Sequence, residues 1–136
     1  MVYMGSKNRI AKELLPIITA TLTNDMYYIE PFVGGCNMID KVEHPHKIGA
    51  DNNKYLIALL KYVQDGKELP LYIEKEEYQK VKANPDAYAD WYVGFVGFIC
   101  SHNGKFFNGY AGITTTKQGE RNYIREKRNN ILKQNL

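Results

Sequence analysis

Apolar residues at Ile10, Leu14, Ile17 and Ile18 recur at helical spacing, with Ser6 placed to cap that helix and Pro16 placed to bend it. The period then shortens. MYYIEPFV reads as a strand, the glycine pair Gly34-Gly35 as a turn, and NMIDKVE as a short helix. HKIGAD is a brief apolar run ended by Asp51, and NKYLIALLKYVQDG is an amphipathic helix closed by Gly66. Two strands joined by a helix within about thirty residues form the βαβ unit of a parallel sheet, with a right-handed crossover.

Beyond Gly66, residues 74–100 predict helix in two pieces divided at Asn84-Pro85. The second piece carries Trp91, Tyr92, Phe95 and Phe98 at helical spacing, which assigns them to a core face rather than to stacking on bases. SHNGKFFNGYAG is too rich in glycine and asparagine for a regular helix and reads as an exposed loop. Its Phe106, Phe107 and Tyr110 fit two roles equally, packing or contact with a nucleic acid. ERNYIREKRNNILKQNL then reads as a basic amphipathic helix with Tyr123, Ile124, Ile131 and Leu132 as its apolar positions.

Composition narrows this picture. A chain of 136 residues with 44% hydrophobic content builds one core. No stretch has the ~20 apolar residues of a membrane span and MVYMGSKNR is not a signal peptide, so a cytoplasmic protein without a membrane partner is expected. Cys36 and Cys100 lack the spacing of a disulfide framework or a metal site and read as small buried residues. Charge is uneven: residues 1–100 carry 11 Lys and Arg against 13 Asp and Glu, a net −2, while residues 101–136 carry 7 against 2, a net +5. The basic end suits a polyanionic partner, although a Lys- and Arg-rich helix is more often a solvated face.

The glycine turn carries the chemistry. A strand that ends in glycines and leads into a helix lets a ligand approach bare backbone at the carboxyl edge of a parallel sheet. An acid at the end of the next strand, Asp51, is placed to accept hydrogen bonds from the two ribose hydroxyls of an adenosine. A glycine pair alone is an ordinary turn, with Asp51 capping a helix that begins at Asn52. Three features weigh against that plain reading: the spacing to Asp51, the acid Glu30 embedded in an apolar strand, and the absence of GxGxxG. A dinucleotide needs helix amides for its pyrophosphate. S-adenosylmethionine has no phosphate and offers a sulfonium and an α-amino group, so Glu30 favours the methyl donor.

MGSKNRIAKELLPII, YIEPFVGGCNMI, ADNN and SHNGKFFNGY, in this order, resemble the N6-adenine-specific DNA methyltransferases of the Dam-like type, especially those of phages and mobile elements. The resemblance implies an α/β chain: a partial Rossmann-like S-adenosylmethionine-dependent methyltransferase fold with a mostly helical target-recognition region. Residues 1–66 would be the cofactor-binding βαβ region and 67–136 the DNA-contacting region. By the same resemblance Tyr3, Gly5 and Lys7 form an N-terminal cofactor element, Glu30, Pro31, Phe32, Gly34 and Gly35 the glycine-rich turn, and Asp51 the ribose-binding acid. Cys36 departs from the family, where a third small residue is common. His102, Asn103, Gly104 and Lys105 begin the recognition region and contact double-stranded DNA, with Arg121, Arg125 and Arg128 of the basic helix added on charge. His102 lacks a partnered carboxylate or nucleophile, so it reads as a contact and not a catalytic base.

Adenine N6 is a poor nucleophile because its lone pair is delocalised. The family meets this with a flipped base held by a D-P-P-Y type motif. The prolines here, Pro16, Pro31, Pro45, Pro70 and Pro85, are all isolated, and no residue is assigned a catalytic role. The expectation is an N-terminal portion of such an enzyme, inactive alone, that self-associates or pairs with a chain carrying the catalytic half. The alternative is a non-enzymatic nucleic-acid-binding or interaction module.

Overall fold

The computed structural model describes Met1–Leu136. The N-terminal helix is shorter than its apolar spacing predicts. Ser6 caps only a 3-10 turn, Lys7–Arg9, its Oγ accepting from the Asn8 amide at 3.1 Å, and the α-helix proper, α1, runs Ala11–Thr21. Ile10 falls outside it and is exposed, as is Ile17. The face that packs is Ala11, Leu14, Leu15 and Ile18, against Met38, Val42 and Tyr28.

The parallel pair is present in the expected order. Strand β1, Tyr28–Glu30, and strand β2, Lys47–Gly49, pair in parallel with Ile29 opposite Ile48. Both are shorter than the apolar runs suggest, and the link between them holds a 3-10 turn, Ile39–Lys41, in place of an α-helix. Backbone bonds continue the ladder past the strands, Ala50 to the Glu30 carbonyl and Val33 to the Ala50 carbonyl. That pairing fixes where the glycine turn meets Asp51.

Helix α2, Lys54–Gln64, starts on the cap Asn53, whose side chain accepts from the Tyr55 and Leu56 amides. It buries Leu56, Leu59 and Leu60 on one face. Helix α3, Lys75–Ala83, buries Tyr78 and Val81, one turn apart, and stops where Asn84-Pro85 predicts. Helix α4, Asp90–Gly94, passes directly into a π-helical turn, Phe95–Ile99, and every residue from Val93 to Cys100 is buried. The aromatic helix therefore forms the centre of the core, with Trp91 stacked on Tyr62 of α2 at 3.8 Å between centroids.

The segment after it folds back on the core with its aromatics turned inward, while His102, Asn103, Lys105 and Asn108 are exposed as the loop reading predicts. Ser101 bridges to Tyr110, Phe106 stacks on Tyr55, Phe107 meets Tyr78 edge-on, and the Tyr110 hydroxyl donates to the Ile73 carbonyl at 2.6 Å. All three aromatics pack against the core while remaining partly exposed. A β-hairpin follows that the helical reading of ERNYIREK misses: β3, Ile113–Thr116, pairs antiparallel with β4, Gly119–Asn122. Helix α5, Tyr123–Leu132, begins three residues later than its charge pattern predicts, on the cap Asn122.

One apolar cluster runs from Met1 through Val33 and Leu56 to Ile124 and Ile131, so residues on both sides of Gly66 share a core. Cys36 and Cys100 are free and buried in it. No helix is long and apolar enough to cross a membrane.

Candidate functional site

The glycine turn lies beneath Tyr3. Gly34 has a φ of +51°, and a Cβ on it would stand 2.9 Å from the Tyr3 ring; one on Gly35 would stand 2.7 Å from Tyr3 Cβ and 3.1 Å from Met1 Cγ. Side chains are excluded at both positions, which leaves bare backbone. Cys36 follows with a φ of +58°, unusual for an L-residue. Its thiol is pushed up to about 12, first by burial and then by Glu30. It is a small packing group and not a nucleophile.

Asp51 ties the turn to β2. Its Oδ2 accepts the Gly34 amide at 3.1 Å and its Oδ1 accepts the Asn53 amide at 3.1 Å. The helix cap is Asn53, so Asp51 serves the turn. A carboxylate has about four acceptor positions, and these two bonds leave it room for ligand hydroxyls.

Glu30 closes β1 at 5% exposure. Lys7 Nζ stands 2.9 Å from its Oε1, yet the ammonium donates to the Phe32 carbonyl at 2.6 Å and Oε1 lacks a hydrogen-bonding partner. The ammonium thus compensates the charge of Glu30, whose Oε1 is buried beneath it. Tyr28 makes a long contact to Oε2 at 3.4 Å, its phenol pushed up to about 12 by burial first and Glu30 second.

These groups surround one cavity of about 310 Å³. Tyr3, Gly5, Lys7, Glu30, Phe32, Gly34, Gly35 and Asp51 all line it, as their sequence pattern predicts. Pro31 does not; it is exposed and ends the strand. Ser6, Asn37 and Asn52 line it as well, without a signal in the local pattern. Asn37 organises the floor, donating to the Met1 carbonyl and Ser6 Oγ at 2.7 Å each and accepting the Met1 amine at 2.7 Å. A buried carboxylate in the wall, a rim carboxylate with spare capacity and two bare glycines suit a cationic, hydroxyl-bearing ligand. They do not suit a pyrophosphate, because the first amides of α2 are already taken by Asn53.

The residues assigned to DNA separate into groups. His102, Asn103 and Arg121 line a second cavity, of about 410 Å³, between the turn His102–Gly104, the hairpin and α5. Lys105 and Arg125 are exposed elsewhere. Gly104 is buried: its φ is +61°, a Cβ there would stand 2.2 Å from the Val2 carbonyl oxygen, and its own carbonyl accepts the Met4 amide at 3.4 Å. It joins the recognition segment to the Tyr3 element instead of facing outward. Arg121 is held by Glu126 through bonds of 3.0–3.1 Å and lies over the Tyr123 ring. Arg128 is half-buried on another side, its Nε donating to the Leu69 carbonyl at 3.2 Å. Arg121, which lies on β4 and not on the basic helix, and Arg125 and Arg128 of α5 are therefore not one phosphate-facing surface. No group of three His, Cys, Asp or Glu side chains is placed to hold a metal ion.

Comparison with known proteins returns no matching curated protein and no matching solved structure. Residues 3–135 do match the family model of D12 class N6 adenine-specific DNA methyltransferases, a span that holds the Tyr3 element, the glycine turn, Asp51 and α5 together, and the chain belongs to that family.

Proposed function

We propose that this chain is the S-adenosylmethionine-binding and DNA-contacting part of a Dam-like adenine-N6 methyltransferase, Rossmann-like in its βαβ region. The single observation that carries this reading is the convergence of Tyr3, Gly5, Lys7, Glu30, Phe32, Gly34, Gly35 and Asp51 on one cavity. Family membership implies use of S-adenosylmethionine, which supplies an electrophilic methyl group on a sulfonium. Asp51 accepts from the ribose hydroxyls, the buried carboxylate of Glu30 biases the cavity toward a cationic ligand group, and Gly34 and Gly35 admit it to bare backbone. Lys7 moderates that charge while fixing the Phe32 carbonyl.

The 136 residues contain no D-P-P-Y segment to accept the adenine amine. The chain alone is expected to bind cofactor and duplex DNA weakly and to transfer no methyl group, the remaining wall of the site coming from a chain that carries the catalytic half. Calorimetric titration with S-adenosylhomocysteine tests the site, and saturable binding is the expected result. No heat at any concentration, with DNA binding retained, would instead favour a nucleic-acid-binding module without cofactor, the reading to which the missing motif lends weight. Transfer of labelled methyl to DNA by the pure chain would overturn the expectation of inactivity.

A further inference from the structure

Lys127 is 7% exposed on α5, a rare condition for a lysine without an acidic partner. Its Nζ donates to the Ser101 carbonyl, which uses one of three ammonium hydrogens. The neighbouring carboxylate, Glu126, is committed to Arg121 by bidentate bonds. Burial is the main influence on the Lys127 amine and lowers its pKa, with Cys100 and Glu126 acting weakly the other way. A buried cation with spare donors and no directly paired carboxylate is costly unless something anionic meets it.

The surroundings supply that place. Lys127 lines the cavity of about 410 Å³ together with His102, Asn103, Asn130 and the ion pair Arg121–Glu126. The side chains of His102, Asn103 and Asn130 carry donors that no other residue engages. We propose that this pocket is an anion subsite that seats one phosphate group, with Lys127 as its charged donor and His102, Asn103 and Asn130 as its neutral donors. Arg121 and Glu126 in the lining offset one another, so Lys127 is the one excess positive charge and the site takes a single phosphate group and not a run of them. The identification of that anion as a DNA phosphodiester rests on the proposed function; the phosphate chemistry does not.

The test is a titration of the isotopically labelled 136-residue chain, followed by NMR, first with inorganic phosphate and then with a short non-specific duplex. Inorganic phosphate should shift the His102, Asn103 and Asn130 side-chain signals saturably in the millimolar range. Lys127→Met keeps the aliphatic stem and should abolish those shifts; Lys80→Gln, on exposed α3 surface, should leave them unchanged. With the duplex, Lys127→Met should flatten the log-log salt dependence by about 0.9, the value for one phosphate contact. Should Lys127→Met fail to fold, the double variant His102→Gln, Asn103→Ala alters only exposed positions and should weaken phosphate binding several-fold. Absence of saturable shifts, or shifts equal in the parent and in these variants, would overturn the subsite. Phosphate binding without duplex binding would leave the subsite standing for a free phosphate and defeat the DNA reading. Duplex binding of undiminished slope in Lys127→Met would show that duplex phosphates bypass the pocket and would likewise defeat the DNA reading.

Discussion

Asp51 shows what a single residue in this site is asked to do. Its two oxygens hold the Gly34 and Asn53 amides, so it is a structural clasp of the turn before any ligand arrives. Asp51→Ala should therefore lose S-adenosylhomocysteine binding and also destabilise the fold, by about 1–3 kcal/mol for two backbone bonds to a carboxylate. Asp51→Asn keeps one acceptor oxygen and should recover much of that stability while leaving affinity low. Urea denaturation and calorimetry on both variants separate the two roles, and parent-like affinity in Asp51→Asn would remove the ribose assignment. Glu30, the glycine pair and Asp51 are legible in the sequence because each breaks a local rule: an acid in an apolar run, or glycines where a strand should continue. Asn37 and Ser6 break none. Their place in the cavity is set by Met1 folding back across the turn, a contact between positions far apart in sequence.

Elements were legible in proportion to how one-sided their burial is. Helix α2, with Leu56, Leu59 and Leu60 on one face, announces itself; the hairpin does not, because seven of its eight residues are exposed and the eighth, Asn122, is only half-buried. With no inside and outside to alternate, β4 was absorbed into the basic pattern of α5. The same helix shows why charge count overstates a binding surface. Arg121 of β4 is spent on Glu126 and Tyr123 and Arg128 on Leu69, which leaves Arg125 as the arginine of α5 without a side-chain partner. Arg125→Gln should flatten the salt dependence of duplex binding by about 0.9 in log-log slope. Arg128→Gln should change it little and instead lower stability, since it loses its bond to the Leu69 carbonyl. Fluorescence anisotropy over a salt series reads the slopes, and identical effects of the two substitutions would contradict this division.

The molecule as a whole is closed at one end by its first residue. The Met1 amine donates to the Gly35 carbonyl at 3.1 Å and to Asn37, and its pKa is lowered from 8.0 to about 5, chiefly by burial, with Asp40 and Cys36 opposing. An unfolded chain holds that proton up to pH 8.0 while the folded one releases it near 5, so the unfolded state binds more protons in between. Stability of the 136-residue chain should therefore rise from about pH 5 toward pH 8.0. Acid melts across that interval would show the trend, and a flat profile would mean that the amine is solvated.

The parallel pair is open along its edges, and its order, which the sequence makes legible, explains why. Strands β1 and β2 pair only with each other, leaving one free edge on each. Ile29 and Ile48, opposite one another in register, are 58% and 46% exposed on the same face. A second groove of about 910 Å³ runs along Ile48, Ile57 and Leu60 beside them. Unpaired backbone next to exposed β-branched side chains is the combination that draws another strand. The 136-residue chain should self-associate through this face, or accept a partner strand there. Ile29→Lys puts a charge on the face without disturbing a buried contact and should shift sedimentation toward the monomer, with S-adenosylhomocysteine affinity unchanged because Ile29 does not line the cavity. A parent protein that sediments as a monomer at all concentrations, identically to Ile29→Lys, would show that the face is tolerated in water as it stands.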